Sequence, residues 1–211
     1  MRSLSAVYCV PLNVKMRPTT QPSTPALTRY SWIAAGWAFC YGLYRWYYAA
    51  GGTFGMLGTP LSQQQWRLIN AIAGALLFVA AILPVAVLSK WRSPPARPVL
   101  LAICWVVAVG GVSHALIGIV QRILSLTATL RISYPFWLTI DRREADLQAL
   151  FFNEPWFLIE GLLWAAIAWE GALSVSPRRR WWLVSAIAAI LTLTAIGLLS
   201  ALGVIGKLII G

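Results

Sequence analysis

The feature that most restricts this chain is the length of its apolar runs. Stretches at about residues 30–50, 66–88, 98–124, 154–173 and 181–210 are nearly free of charge. Each reaches the ~20 residues that an α-helix needs to cross about 30 Å of hydrocarbon. Only 11% of the residues are charged, against roughly 25% in soluble domains, so lipid is the expected solvent. The expectation is an all-α fold, a polytopic membrane bundle of about five transmembrane helices. Residues 1–29 form a flexible tail before it, and residues 125–153 form a long outer interfacial loop. No separate soluble domain fits in the 211 residues.

Net charge is +11, but the basic residues lie between the apolar runs, where they act as topology signals rather than as a nucleic-acid face. With the N-terminus inside, Arg2, Lys15, Arg17, Arg29, Lys90, Arg92, Arg97, Arg178, Arg179 and Arg180 are cytoplasmic. Arg67, Arg122, Arg131, Arg142, Arg143 and Lys207 fall outside, and Asp141, Glu144 and Asp146 offset part of that charge. The bias places the N-terminus in the cytoplasm and the protein in the cell membrane as a multi-pass species. The partners expected are the lipid bilayer and a lipophilic small molecule, with no nucleic acid.

Residues 1–29 lack an apolar core ending in a small-residue cleavage site, so no signal peptide is expected. The stretch from Met16 itself reads as a start followed by a polar tail. Cys9, Cys40 and Cys104 are widely spaced, with Cys40 and Cys104 expected to be small buried apolar residues. No Cys-x-x-Cys, phosphate-binding loop or His-Glu-x-x-His pair is present, and a single His builds no His-rich metal centre. Neither a metal nor a cofactor is expected.

Several helix faces carry more than an anchor needs. On the first helix Tyr30, Trp37, Tyr41, Tyr44 and Tyr48 recur at steps of 7, 4, 3 and 4, one side of a helix. On the fourth, Trp156, Glu160 and Trp164 follow at i, i+4 and i+8, placing a carboxyl between two indoles. Such faces serve either packing or a pocket. Arg45, His114, Glu154, Glu160 and Glu170 are ionisable groups within or near the membrane, where charge is costly and by default functional. Glu170 is placed to pair with Arg178–Arg180. Glu154, at the expected first turn of the fourth helix, is either a cap favoured by the macrodipole or a functional group. Glu160 lies about 9 Å deeper, from six residues at 1.5 Å rise. Arg45 either snorkels to water or holds one of these acids. Gly111, His114, Gly118, Gln121 and Ser125 form a small and polar stripe, either a packing seam or part of a site.

Together Tyr44, Arg45, Tyr48, Asn70, His114, Gln121, Glu154 and Glu160 converge from four helices. Glu160 and Glu154 are the candidate catalytic acids. Trp37, Tyr41, Tyr44, Tyr48, Trp156, Trp164, Arg45, Asn70 and His114 are the candidate substrate-binding residues. In the outer loop, ISYPFWLTI is too short to span and lies in the interface or folds back over the bundle. DRREADLQALFF reads as a short helix with Asp141 near its start, and GGTFGMLG as a flexible turn. The loop is either a lid or an interfacial anchor.

The segments YGLYRWYYAAGGTFG and FFNEPWFLIEGLLW resemble a family of small bacterial multi-helix membrane proteins of unknown function. Relatives there often carry a His near the start of the first segment, where this chain has aromatics and Arg45. In size, helices, embedded acids and aromatics the chain is also similar to membrane-bound terpene cyclases of meroterpenoid pathways. That likeness implies acid-initiated cyclisation of an isoprenoid, an isomerase or lyase reaction in an aromatic-lined pocket. The alternatives are a small-molecule binding or transport protein, or a membrane assembly partner without catalysis.

Overall fold

A computed structural model describes residues 25–90, 96–171 and 179–205. The elements run α1 (Pro25–Ala49), β1 (Gly58–Pro60), α2 (Gln63–Lys90), α3 (Arg97–Leu126), β2 (Trp137–Ile140), α4 (Arg142–Gln148), a π-helical turn (Ala149–Asn153), α5 (Glu154–Glu170) and α6 (Arg179–Ala201). The fold is an all-α bundle. Among the described residues four helices are long and apolar enough to cross a membrane: α2, α3, the combined α4–α5 and α6. The α1 helix is as long but less apolar, since it carries Arg29, Arg45, Tyr30, Tyr41, Tyr44, Tyr47 and Tyr48. It nevertheless packs along the whole bundle, against α2 on one side and α5 on the other. The bilayer-facing surface is apolar, with Leu76, Ile82, Val106 and Leu191 all largely exposed.

Several expected boundaries move. Pro25 and Leu27 are already helical, and Leu27 is buried, so the tail is shorter than residues 1–29. A proline fits the first turn because it has no N–H to leave unpaired. Residues 1–24, with Cys9, and the connections holding Arg92 and Arg178 lie outside the described residues, as do Gly206 and Lys207. Cys104 is buried but Cys40 is exposed, because it falls on the face of α1 turned away from both partners.

At one end, α1, α2, α3 and α5 meet in a core of Leu27, Ala34, Val87, Leu100, Cys104, Ala108, Trp164, Ile167 and Ala168. Further along, α3 and α5 touch backbone to backbone at Gly111 and Gly161, the close approach that a small-residue stripe permits. Ile117 of α3 fits against Gly197 of α6.

The other end is capped. The segment after α1 is not a flexible turn: β1 pairs antiparallel with β2, Gly58 opposite Ile140 and Thr59 opposite Thr139, with an irregularity before Pro60. Residues 75 to 84 apart in sequence are thereby tied, with Leu61 N–H donating to the Phe136 carbonyl at 2.8 Å and Asp141 N–H to that of Leu57 at 3.0 Å. A side chain at Gly58 would run into the carbonyl of Thr139, so only glycine fits. The loop thus folds back over the bundle as a cover.

The fourth expected helix also starts earlier. Asp141 caps α4, accepting the Glu144 N–H at 3.0 Å, and the helix then runs through the π turn into α5 without a break. Glu154 is therefore mid-helix, so of its two expected readings, a cap or a functional group, the cap does not apply. Asp146 and Glu154 are eight residues apart, about 80° out of phase at 3.6 residues per turn. The π turn takes up one extra residue. This brings both acids onto the face that meets α3, where Asp146 meets Ser125 and Glu154 meets Gly118.

Candidate functional site

The aromatic face of α1 meets α5 in a continuous stack. Trp37 and Trp156 lie 4.0 Å apart between centroids at 22°. Tyr41 stacks on Trp156 at 5.1 Å and on Tyr44 at 5.7 Å, and Tyr44 meets Phe152 and Tyr48 edge-on. The Trp37 indole N–H donates to the Trp156 carbonyl at 3.1 Å, and the Tyr41 hydroxyl to Asn153 Oδ1 at 3.2 Å. Each ring pair contributes about 0.5–1.5 kcal/mol beyond its area. These rings chiefly hold α1 to α5.

Beside this seam a cleft of about 430 Å³ opens between α2 and α3. Ala73, Leu76, Leu77 and Ala80 form one flank, Val107, Gly110, Gly111 and His114 the other, and Tyr41, Arg45, Phe157 and Glu160 the back wall. Glu160 is tethered, since the indole N–H of Trp164 donates to its Oε1 at 2.8 Å. Trp164 is itself fully buried, which fixes the donor. The second oxygen, Oε2, is buried with no hydrogen-bond partner. A few polar groups, those of Arg45, His114 and Glu160, in a mainly apolar cleft are the arrangement of a small-molecule site. His114 stands over Phe157 at 4.5 Å, and its Nε2 is 3.8 Å from Oε2 of Glu154. Glu154 is packed so closely on Gly118 that no side chain fits there.

A second, smaller cavity of about 160 Å³ lies under the cap. Arg45 turns inward instead of snorkelling, and neither Glu154 nor Glu160 holds it. Its Nη1 donates to Asn70 Oδ1 at 3.1 Å, and the amide of Asn70 donates to the Trp66 carbonyl at 2.8 Å. Asn70 is fully buried, so this chain of bonds is fixed. Opposite it, Asp146 collects three donors: Arg122 Nη1 at 3.2 Å, the Tyr134 hydroxyl at 2.6 Å and the Ser125 hydroxyl at 2.5 Å. Burial, reinforced by the bond to Asp146, pushes the Tyr134 hydroxyl up to about 12.

Of the sequence-derived residues, Tyr41, Arg45, His114 and Glu160 share the cleft, whereas Tyr44, Tyr48 and again Arg45 line the cavity under the cap. Trp37 and Trp156 stack in the seam, Trp164 lies in the core beneath Glu160, Asn70 holds Arg45, and Glu154 backs His114. The sequence reading passed over Arg122, Tyr134 and Asp146 as functional groups, treating the two charges as loop topology signals. The available signal was the i, i+4 spacing of the small apolar residues Ala145 and Ala149 beside Asp146, which marks a buried face. No family model, no curated protein and no solved structure matches the chain.

Proposed function

We propose that this multi-pass protein takes a lipophilic molecule from the bilayer into the α2–α3 cleft and that Glu160 acts on it as an acid. The observation that carries this reading is the Glu160 carboxyl, held on one oxygen by Trp164 and unpartnered on the other in an apolar cleft. The reaction that fits is proton-initiated cyclisation of an isoprenoid chain. Glu160 gives its proton to one alkene carbon, and the π pair forms the new C–H bond. The cation left on the neighbouring carbon is attacked by a second alkene, which closes the ring. Loss of a proton from the product cation to the same carboxylate restores the acid, so the net change is isomerisation and atoms balance. The Trp164 N–H steadies the carboxylate between steps, and the rings of Tyr41 and Phe157 face the cation. Glu154, which backs His114, is the second candidate acid. The charge bias between loops supports a cell-membrane protein with the N-terminus in the cytoplasm.

Purified protein given farnesylated aromatic substrates should form cyclic product, and Glu160→Gln should slow it by about 10²–10⁴-fold. Equal rates for Glu160→Gln and the wild type would refute the assignment. A second reading, binding or transport of a small apolar molecule, is favoured by one observation: the flanks of the cleft are mainly aliphatic and offer few ring faces to a travelling cation. Uptake into sealed vesicles with the molecule chemically unchanged would select it.

A further inference from the structure

The small cavity under the cap shares only Arg45 with the cleft of the proposed reaction centre and has an unusual balance of polar groups. Tyr44, Arg45, Trp66, Arg122, Tyr134 and Asn153 line it together with apolar side chains of the cap. Two of these are guanidinium groups, and no carboxylate lines the space. Arg122 has its charge answered by Asp146, just outside. Arg45 has only the neutral amide of Asn70 and the Tyr41 ring, 5.7 Å to its centroid, and among the described residues no carboxylate lies within ion-pair distance of it. Three further donors on lining residues are buried without any hydrogen-bond partner: Arg45 Nε, Trp66 Nε1 and Arg122 Nε. All three are N–H groups.

Even a half-buried guanidinium such as that of Arg45 is costly without a counter-charge, and a buried donor without an acceptor adds to the cost. One group removes both: a compact oxyanion, which supplies charge and several acceptors at once. The cavity's volume is that of roughly five waters, enough for one carboxylate or phosphate group and little more. We infer that the cavity under the cap binds a small oxyanion, a carboxylate or phosphate group, through Arg45, the Trp66 indole N–H and Arg122. The cavity lies at the end of the bundle, at the level of the bilayer surface. The group is therefore either a free ion or the headgroup of an anionic lipid.

The test titrates inorganic phosphate into the protein in an uncharged detergent, following the fluorescence of Trp66 and Trp137, both of which line the cavity. In parallel, the protein is reconstituted in phosphatidylcholine with and without phosphatidic acid, and retained lipid is read by native mass spectrometry. Arg45→Gln should weaken binding at least tenfold. Trp66→Phe, which removes one donor and leaves Asn70 its carbonyl acceptor, should weaken it a few-fold. Arg67→Gln, an exposed cation outside the cavity, should leave it unchanged. Binding of phosphate alone identifies a free ion as the source, and selective retention of phosphatidic acid identifies a headgroup. Binding of neither overturns the inference. So does equal loss in Arg67→Gln, or binding that survives both Arg45→Gln and Trp66→Phe. If Arg45→Gln does not fold, Trp66→Phe decides alone. Arg45 also lines the cleft, whereas Trp66 lines only the cavity under the cap, so the Trp66→Phe result separates failure here from failure of the proposed reaction.

Discussion

The contact between α3 and α5 positions Glu160, and it can be loaded by a single methyl group. A Cβ at Gly161, the residue after Glu160, would sit 2.8 Å from both Cγ2 and the backbone nitrogen of Val112, and 3.1 Å from the Ala108 carbonyl. Ordinary contact begins at 3.4 Å, so the helices must part by about 0.6 Å, the difference between 3.4 and 2.8. Val112 can turn its side chain away, but the two backbone atoms cannot move independently of α3. Overpacking of this kind costs about 1–3 kcal/mol, a shift of roughly 5- to 140-fold in the folding equilibrium. The control is Gly110→Ala, where an added Cβ meets nothing within 4 Å. Helix propensity there favours alanine by up to about 1 kcal/mol. Unfolding in mixed micelles with rising dodecyl sulfate, followed by tryptophan fluorescence, separates the two. If Gly161→Ala unfolds with the wild type, or Gly110→Ala falls as far, the proposed backbone contact is not what holds α3 to α5.

Replacing Asp146 with alanine leaves Arg122, Tyr134 and Ser125 without their shared acceptor. The expected loss is about 3–5 kcal/mol, localised at the cap. Trypsin should then cut after the exposed Arg131 faster than in the wild type, and an unchanged rate would count against the cluster as the latch. Tyr134 should ionise well above the free phenol. Its pKa is raised in the folded protein, so its contribution to stability is complete below pH 10 and fades as pH rises through about 12. The absorbance titration of wild type minus Tyr134→Phe measures this directly. A midpoint near 10 would show that the hydroxyl is free.

The helices were legible because hydrocarbon demands length and apolarity, and both are written locally. So was the placing of a carboxyl between two indoles, although the i, i+4 spacing does not say which of them donates to Glu160. What escaped depends on contacts distant in sequence. The pairing of Gly58 with Ile140 leaves no pattern in strands of three and four residues, and GGTFGMLG therefore read as a loose turn. Trp156 has the same spacing from Glu160 as Trp164 does, yet it stacks on Trp37, because α1 offers a ring on that side. Arg45 is open in the sequence between snorkelling and holding an acid, and Asn70, one helix away, gives it a different acceptor. Asp146 sits among charges that suit a surface loop, and only the π turn turns it toward α3.

That turn also sets the rules for length variation in this segment. Having absorbed one residue, it can give one back. A deletion within 149–153 that restores a regular helix shortens the spacing from Asp146 to Glu154 to seven, within about 20° of the original direction. Both acids would keep their helix, at the cost of a displacement along the axis of roughly 1.5 Å. A deletion within 155–159 finds no such reserve. It would swing Glu160 by about 100° relative to Glu154, out of the cleft and away from Trp164's indole only if that residue did not swing with it. Since Trp164 lies downstream of the deletion, donor and acceptor would rotate together. Their hydrogen bond would survive, in the wrong part of the bundle.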